Sequence, residues 1–239
     1  MRIFFQLFLT SILSSSVWAG ADWDYQHPEQ WNTLSPNFAA CSGKNQSPIN
    51  IEKTVKADLK PLQFSYQTLI QRIHNNGHTV QVDFNEGGVL TLDGEHFQLK
   101  QFHLHTPSEN KIDGQQYPLE IHFVHTNAQG ELAVVGMMYA QGRANPNLAK
   151  IWNFLPKQKG QTTELEQPQS VNHLLPKKLD YYRFNGSLTT PPCSEGVRWL
   201  ILKEIQTAST QQIDDFANLL GHPNNRPVQP LNGRVIIEN

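Results

Sequence analysis

The sequence of 239 residues contains little cysteine and no excess of basic charge. Its two cysteines, Cys41 and Cys193, do not form a Cys-x-x-Cys pair, which excludes a thiolate metal site of the zinc-finger kind. The 19 Lys and Arg residues are matched by 21 Asp and Glu without a basic run, so we expect no nucleic-acid partner. The His-Glu-x-x-His motif of zinc proteases is also missing.

Long apolar runs are absent after the first residues of the chain. At its start, Arg2 precedes an apolar stretch, and small residues follow up to Ala19-Gly20-Ala21. This order predicts a secretory signal peptide over residues 1–19, with cleavage after Ala19 or after Ala21. The stretch is shorter than the roughly 20 apolar residues of a membrane-spanning helix, and an uncleaved N-terminal anchor is the alternative. We expect a secreted protein that spans no membrane after cleavage.

Residues 20–239 suit one domain, because all-β domains often reach about 200–250 residues. Short β-like runs recur between turn signals such as Asn76-Gly77 and Asp93-Gly94. The predicted strands are 79–84, 89–92, 97–105, 119–125, 132–139, 197–202 and 235–237, and the predicted helices are 146–154 and 210–220. Otherwise, 145–176 shows no strong strand pattern. The sequence predicts a mostly β (α+β) single domain with peripheral short helices.

The expected export bears on the two cysteines, because an exported chain enters an oxidising compartment. An exported chain with an even number of cysteines usually pairs them, so we expect a disulfide between Cys41 and Cys193. The chain-entropy model gives such a loop roughly 5 kcal/mol of stabilisation. Two buried free thiols are the alternative.

The strongest functional pattern is Gln101-Phe102-His103-Leu104-His105. Side chains alternate between the two faces of a strand, so His103 and His105 point the same way. In the next predicted strand, His122 lies on the face opposite that of His125 and completes a three-nitrogen set if the two strands are neighbours. Three neutral imidazoles suit zinc and leave a fourth position open, as in catalytic zinc sites.

Two further polar residues accompany these histidines. Gln101 and Glu120 each precede a histidine by two residues, on the same face of the strand. Acceptors at such positions fix the tautomer and orientation of a ligating imidazole. An isolated His-x-His pair is more often exposed or internally bonded, and spacing alone leaves several zinc or iron enzymes open.

Several stretches in a fixed order carry a resemblance to a known family: residues 23–25 with Pro28 and Trp31, then 45–51, 76–78, 101–105, 108–109, 120–125, 187–193 and 224–232. Over essentially all of residues 20–239 the sequence resembles the α-class carbonic anhydrases. The resemblance implies a central, twisted, largely antiparallel sheet with one zinc ion per chain in a conical cleft. It also implies that His103, His105 and His122 are the zinc ligands.

The resemblance implies reversible hydration of carbon dioxide to bicarbonate and a proton, by attack of zinc-bound hydroxide and proton transfer through a histidine. Zinc lowers the pKa of its water from about 15.7 to about 7, so hydroxide is available at neutral pH. Thr189 is similar to the family's gatekeeper threonine, whose hydroxyl donates to a buried carboxylate, here Glu109. The resemblance also implies that Thr189 and Thr190 bind the substrate. The expected apolar wall for carbon dioxide, for which core packing is a strong alternative, is Val124, Val134, Leu188, Val197 and Trp199.

His78 resembles the family's proton shuttle. An unperturbed imidazole titrates near pH 6.5, which suits proton relay at about neutral pH. His74 is a candidate auxiliary, although a simple surface histidine is the plainer interpretation.

The departures from animal members resemble the bacterial branch of the family. Thr106 and Thr126 stand where animal members often have tryptophan. This branch implies a periplasmic location, and Cys41 and Cys193 stand where extracellular and bacterial members have a disulfide. The peptide bonds before Pro48 and Pro192 can be cis in the family, which the sequence does not decide. The oligomeric state stays open, a homodimer included.

Two other function classes fit part of the pattern. A cupin-type protein would bind iron or manganese through His103, His105 and Glu109 in a jelly roll, but the glycine spacings and the later glycine–histidine motif of cupins are missing. A periplasmic zinc carrier would need no threonine–glutamate pair, and the sequence lacks the His-rich loop expected of one. Metal analysis separates zinc from iron or manganese.

Overall fold

The computed structural model describes residues 22–84 and 86–239. The predicted signal peptide and both of its cleavage points lie outside the described residues. Among the described residues, no helix is both long enough and apolar enough to cross a membrane.

The described residues form sixteen strands and three α-helices, which we number in chain order. The strands are β1 (Asn50–Ile51), β2 (Val55–Lys56), β3 (Gln63–Tyr66), β4 (Leu69–Asn75), β5 (Val80–Asp83), β6 (Gly88–Leu92), β7 (Glu95–His105), β8 (Lys111–Ile112), β9 (Gln115–Gln116), β10 (Leu119–Thr126), β11 (Leu132–Gln141), β12 (Thr162–Ser170), β13 (Tyr181–Ser187), β14 (Glu195–Leu202), β15 (Gln206–Ala208) and β16 (Ile237–Glu238). The α-helices are α1 (Trp31–Leu34), α2 (Pro146–Trp152) and α3 (Thr210–Leu220), and the 3-10 helices are Pro28–Gln30, Pro36–Ser42 and Val171–Leu174.

One large sheet contains thirteen of these strands, in the order β12-β4-β5-β7-β10-β11-β14-β13-β16-β2, with β3, β6 and β15 attached beside it. Most neighbours are antiparallel, as predicted, but β11 pairs with β14 and β15 in parallel, as does β16 with β2. A single sheet of thirteen strands among the described residues differs from the two packed sheets of the jelly roll that the cupin alternative requires. The strands β1, β8 and β9 form a separate small sheet.

The segment predicted to lack a strong strand contains β12, which corrects that expectation. Only Leu165 is buried in this strand, and Pro168 interrupts it, so the sequence shows no clear alternation. Such a proline is tolerated on an edge strand, and β12 is an edge that pairs only with β4. The strands β4 and β13 were also missed, and the helix predicted over 146–154 ends at Trp152.

The centre of the sheet is buried on both faces. Along β10, Ile121 and Phe123 belong to the larger apolar cluster, which also contains residues of α2 and α3. Val124, on the other face, packs against a second cluster that includes Val134 and Trp199. Each fully buried large apolar side chain stabilises the fold by about 1.5–3 kcal/mol, so this double burial holds β10 firmly in place.

A disulfide joins the N-terminal segment to the loop after β13. Cys41 and Cys193 are bonded, as predicted, and are 152 positions apart in the sequence. Trp31 and Phe38 pack in the same cluster. The peptide bonds before Pro48 and Pro192 are both cis, as is the bond before Pro107.

Candidate metal centre

Adjacent strands bring the three predicted histidines together. In the antiparallel pairing of β7 with β10, His122 lies directly opposite His103. The ring centroids are 4.9 Å apart for His103 and His105, 5.3 Å for His103 and His122, and 4.5 Å for His105 and His122. One nitrogen from each ring lies within 4.8 Å of the others.

In each of the three rings, one nitrogen lies close to a polar atom of a neighbouring residue. His103 Nδ1 lies 2.7 Å from Gln101 Oε1, and His105 Nδ1 lies 2.6 Å from the backbone oxygen of Asn224. His122 Nε2 lies 2.8 Å from Glu120 Oε1, although this contact is not linear enough to count as a hydrogen bond. Because an acceptor favours the tautomer protonated on the facing nitrogen, the lone pairs lie on His103 Nε2, His105 Nε2 and His122 Nδ1.

The acceptor behind His122 is itself held by three N–H groups. Glu120 Oε2 accepts from the backbone amides of Glu109 at 2.8 Å and Asn110 at 3.0 Å, and Oε1 accepts from Asn110 Nδ2 at 2.9 Å. Gly136 lies opposite His122 on β11. A Cβ atom there would lie 3.0 Å from Glu120 Oε1 and 2.5 Å from Ile201 Cδ1, so glycine leaves the space that this carboxylate needs.

The environment keeps the three imidazoles neutral. Burial lowers the pKa of His103 and His122 well below the usual value and lowers that of His105 less, because the Asn224 carbonyl and Glu120 oppose the shift. Neutral imidazole is the form that binds a metal. Among the described residues, His105 Nε2 is buried and has no hydrogen-bond partner. An unpartnered buried nitrogen within a three-nitrogen donor set fits zinc.

Glu109 lies beside these histidines. Its Oε2 is 3.4 Å from His105 Nε2 and 3.8 Å from His122 Nδ1, and its Oε1 accepts from the Arg226 backbone amide at 2.9 Å. Burial raises the pKa of Glu109 well above its usual value, against the Arg226 amide and the Thr189 side chain, which lower it. The Thr189 hydroxyl is therefore near the carboxylate, although Oε2 accepts no hydrogen bond of standard geometry from the described residues.

The five residues of the predicted apolar wall lie together in one apolar cluster. Val134, Val197 and Trp199 are buried in the second apolar cluster, and Val124 and Leu188 pack against it. The Trp199 ring lies edge-on to His122, 4.9 Å away. Thr190 is partly buried, and its carbonyl accepts from the Cys193 amide at 2.8 Å, which ties this loop to the disulfide.

His78 lies apart from the three histidines, in the turn before β5. Its ring stacks on Trp23 with centroids 3.9 Å apart, and its backbone amide donates to Asn76 Oδ1 at 2.9 Å. Burial and then Lys159 lower the pKa of His78. His74 instead points to Asp83, with Nδ1 3.3 Å from Oδ2.

Sequence reasoning missed four residues that support this centre: Trp23, Asn110, Asn224 and Arg226. Trp23, Asn224 and Arg226 belong to stretches that carried the family resemblance, which was the available signal. Their partners are distant in sequence, so no local pattern assigns them a contact.

Comparisons with known proteins agree with this geometry. The sequence model of the eukaryotic-type carbonic anhydrases matches residues 26–239. A carbonic anhydrase of Pectobacterium atrosepticum is 51% identical over 97% of this chain and 96% of its own. The solved α-carbonic anhydrase of Photobacterium profundum has a TM-score of 0.86 at 49% identity, covering 91% of this chain and all of that one. That of Thermovibrio ammonificans, in complex with the inhibitor sulfanilamide, has a TM-score of 0.89 at 46% identity over 91% of this chain and 99% of its own.

Proposed function

The chain belongs to the eukaryotic-type (α) carbonic anhydrase family, and from this premise we propose that it hydrates carbon dioxide reversibly with one zinc ion held by His103, His105 and His122. The main support for this proposal is the set of three imidazole nitrogens that lie close together. In each ring, the other nitrogen faces a hydrogen-bond acceptor. Zinc, when bound there, supplies the nucleophile, because it lowers the pKa of a water to about 7.

The acceptors behind the three rings keep the donor set in shape. Gln101, the Asn224 carbonyl and Glu120 each face one ring, and ligands oriented in this way need little reorganisation when they bind the metal. Glu120 is in turn fixed by Asn110, so its carboxylate does not rotate away from His122.

Thr189 and Glu109 act together to orient the nucleophile. In the proposed working state the Thr189 hydroxyl donates a hydrogen bond to the Glu109 carboxylate, so its oxygen can only accept a hydrogen bond from the nucleophile. That one-way arrangement aims the reacting lone pair at the substrate. The Thr189 backbone amide, with Thr190 beside it, helps to hold the anion that develops.

The apolar wall receives the substrate. Carbon dioxide is uncharged, so it can lie against Val124, Val134 and Leu188 without displacing a hydrogen bond. Val197 and Trp199 are buried in the same apolar cluster and support these residues from behind.

His78 passes the released proton to solvent. It is partly exposed, so one side of its ring reaches bulk water. Burial lowers the pKa of this imidazole, which makes it a readier proton donor to buffer at neutral pH.

We also propose that residues 1–19 direct the chain to the periplasm. The Cys41–Cys193 disulfide supports an oxidising compartment, since such bonds are rare in the cytosol. N-terminal sequencing of the exported protein tests the proposal and should start at Gly20 or Asp22. A protein that begins at Met1 and stays in the cytoplasm would contradict it.

A stopped-flow assay of carbon dioxide hydration tests the enzyme. The purified chain is assayed as isolated, after removal of metal with a chelator, and after addition of zinc, iron or manganese. We expect hydration to disappear with the metal and to return at one zinc per chain. Activity that is indifferent to the chelator, or restored only by iron or manganese, would contradict the proposal.

A further inference from the structure

The side chain of Asn224 joins two segments that carry different parts of the site. It is fully buried. Its Nδ2 donates to Leu104 O at 2.9 Å and to His78 O at 3.1 Å. Its Oδ1 accepts from the Thr106 backbone amide at 2.7 Å. One amide group thus contacts the chain on both sides of His105 and also holds the turn that carries His78.

The backbone of Asn224 also contacts the ring of His105 and the backbone of Thr106. Asn224 O accepts from His105 Nδ1 at 2.6 Å, and Asn224 N donates to Thr106 O at 3.2 Å. Asn224 is therefore fixed to the end of β7 by several bonds. The contact to His78 reaches from this anchored position to a second element.

The turn needs such a contact because regular pairing stops before it. The ladder between β5 and β7 reaches Gln81, opposite His103, and His78 lies three residues earlier. Asn76 Oδ1 accepts from the backbone amide of His78, but this bond is internal to the turn. Thr79 Oγ1 donates to Leu104 O, which ties the following residue. The backbone of His78 itself is tied to the β7 end by Asn224.

We propose that the Asn224 amide is a positioning group for this reaction: it sets the place of His78 relative to the strand that carries His103 and His105, and it keeps the Asn224 carbonyl on His105. The inference rests on the function proposed above, in which His78 relays protons and His105 binds zinc. A misplacement of about 1 Å can cost about 100-fold in rate, so a single amide at this junction is sufficient to matter.

Asn224→Ala tests the inference, with Asn225→Ala as the control on the same segment and His78→Ala as the reference for a lost relay. Asn224→Asp is the second variant if Asn224→Ala does not fold, because it keeps the volume and the acceptor for Thr106 but removes the donor. The measurements are kcat and kcat/KM in a dilute bulky buffer with and without imidazole, and the rate at which bound zinc passes to a chelator.

For the Asn224 variants we expect kcat in dilute buffer to fall about 10-fold and to be rescued by imidazole. Zinc release should accelerate about 10-fold, which is the lower end of the effect seen when a residue that hydrogen-bonds a metal ligand is removed. The ratio kcat/KM should change little, and Asn225→Ala should behave as the parent. A variant that is only less stable, with the parent's buffer dependence and zinc release, would overturn the inference. If His78→Ala keeps the parent kcat in dilute buffer, the proposed relay is wrong, and so is the inferred role of Asn224 in placing His78. The inferred role of Asn224 at His105 is then still tested by the zinc-release rate.

Discussion

The two faces of strand β10 each carry a buried histidine, and the two histidines have different surroundings. On the core face, His125 has a partner for each nitrogen: Tyr66 Oη lies 2.6 Å from Nε2 and the Ala133 carbonyl 3.2 Å from Nδ1. On the site face, His122 has Glu120 beside one nitrogen, while the other faces Glu109 at 3.8 Å, beyond hydrogen-bond distance.

The difference shows that burial alone does not identify a ligand. Burial lowers the pKa of both histidines, to about 4 for His125 and well below its usual value for His122. What separates the two is their partners: among the described residues, each nitrogen of His125 has a hydrogen-bond partner, whereas the Glu109 carboxylate is 3.8 Å from His122 Nδ1 and two other imidazoles lie beside the His122 ring. The site face is arranged for a cation, and the core face is complete without one.

The largest difference is expected between His122→Ala and His125→Gln, two variants of the same strand. Without His122 the donor set loses a ligand, so zinc content and hydration should fall together, hydration by at least about 1,000-fold because the metal supplies the nucleophile. His125→Gln should keep its zinc and lose about 1–3 kcal/mol of stability where Tyr66 lacks its partner. Metal analysis and stopped-flow assays of both variants check this, and full zinc in His122→Ala would contradict the ligand assignment.

His125, on the core face, should make the stability of the fold depend on pH. An unfolded histidine titrates near pH 6.5, and the pKa of buried His125 is about 4, so the unfolded state binds the extra proton between these values. Stability from this residue is therefore present above about pH 6.5 and lost as the pH falls to about 4, by roughly 3 kcal/mol. In urea unfolding from pH 7 to 4, His125→Gln should lose about that much less than the parent does. Parallel curves for the parent and His125→Gln would contradict this prediction, and His173→Gln, at an exposed position, is the control.

The strand pattern predicted that His103 and His105 share one face, and it predicted that His122 joins them if the two strands are neighbours. Alternation along β7 and β10 put His103, His105 and His122 on one face, and the pairing of these strands supplied the rest. Gln101 and Glu120 followed from the same rule. The apolar strands around them were found because short β-like runs stand between turn signals.

The remainder of the centre depends on contacts that no local pattern encodes. The Asn224 carbonyl reaches His105 across 119 positions of sequence, and the Arg226 amide reaches Glu109 across 117. The strand β12 was missed because one buried residue gives no alternation. Such features come from the topology of the folded chain.

On the site face, Thr189 and Glu109 allow metal binding and catalysis to be separated, because their loss should slow the reaction without loss of zinc. Thr189→Ala should retain zinc and slow hydration about 100-fold, the scale of a lost group that stabilises or orients the reacting charge. In the double variant with Glu109→Gln the two losses should not add, because both remove the same hydrogen-bond relay. Stopped-flow rates of the two single variants and the double variant measure the coupling, and additive losses would count against it.

The smallest effect on zinc affinity or activity is expected when a residue that hydrogen-bonds a zinc ligand, such as Gln101, is removed. Gln101→Ala removes the acceptor of His103 Nδ1 and should weaken zinc affinity or activity by about 10–100-fold. Gln98→Ala, at an exposed position of the same strand, is the matched control and should change neither. Chelator competition on both variants gives the affinities, and equal values would contradict the assigned role of Gln101.

The most direct test of the metal centre is a crystal structure of the zinc-loaded protein with anomalous data collected at the zinc edge. We expect one peak, about 2.0–2.1 Å from His103 Nε2, His105 Nε2 and His122 Nδ1, with Glu109 outside the coordination shell. A peak elsewhere, or one bonded to the Glu109 carboxylate in place of a histidine, would contradict it.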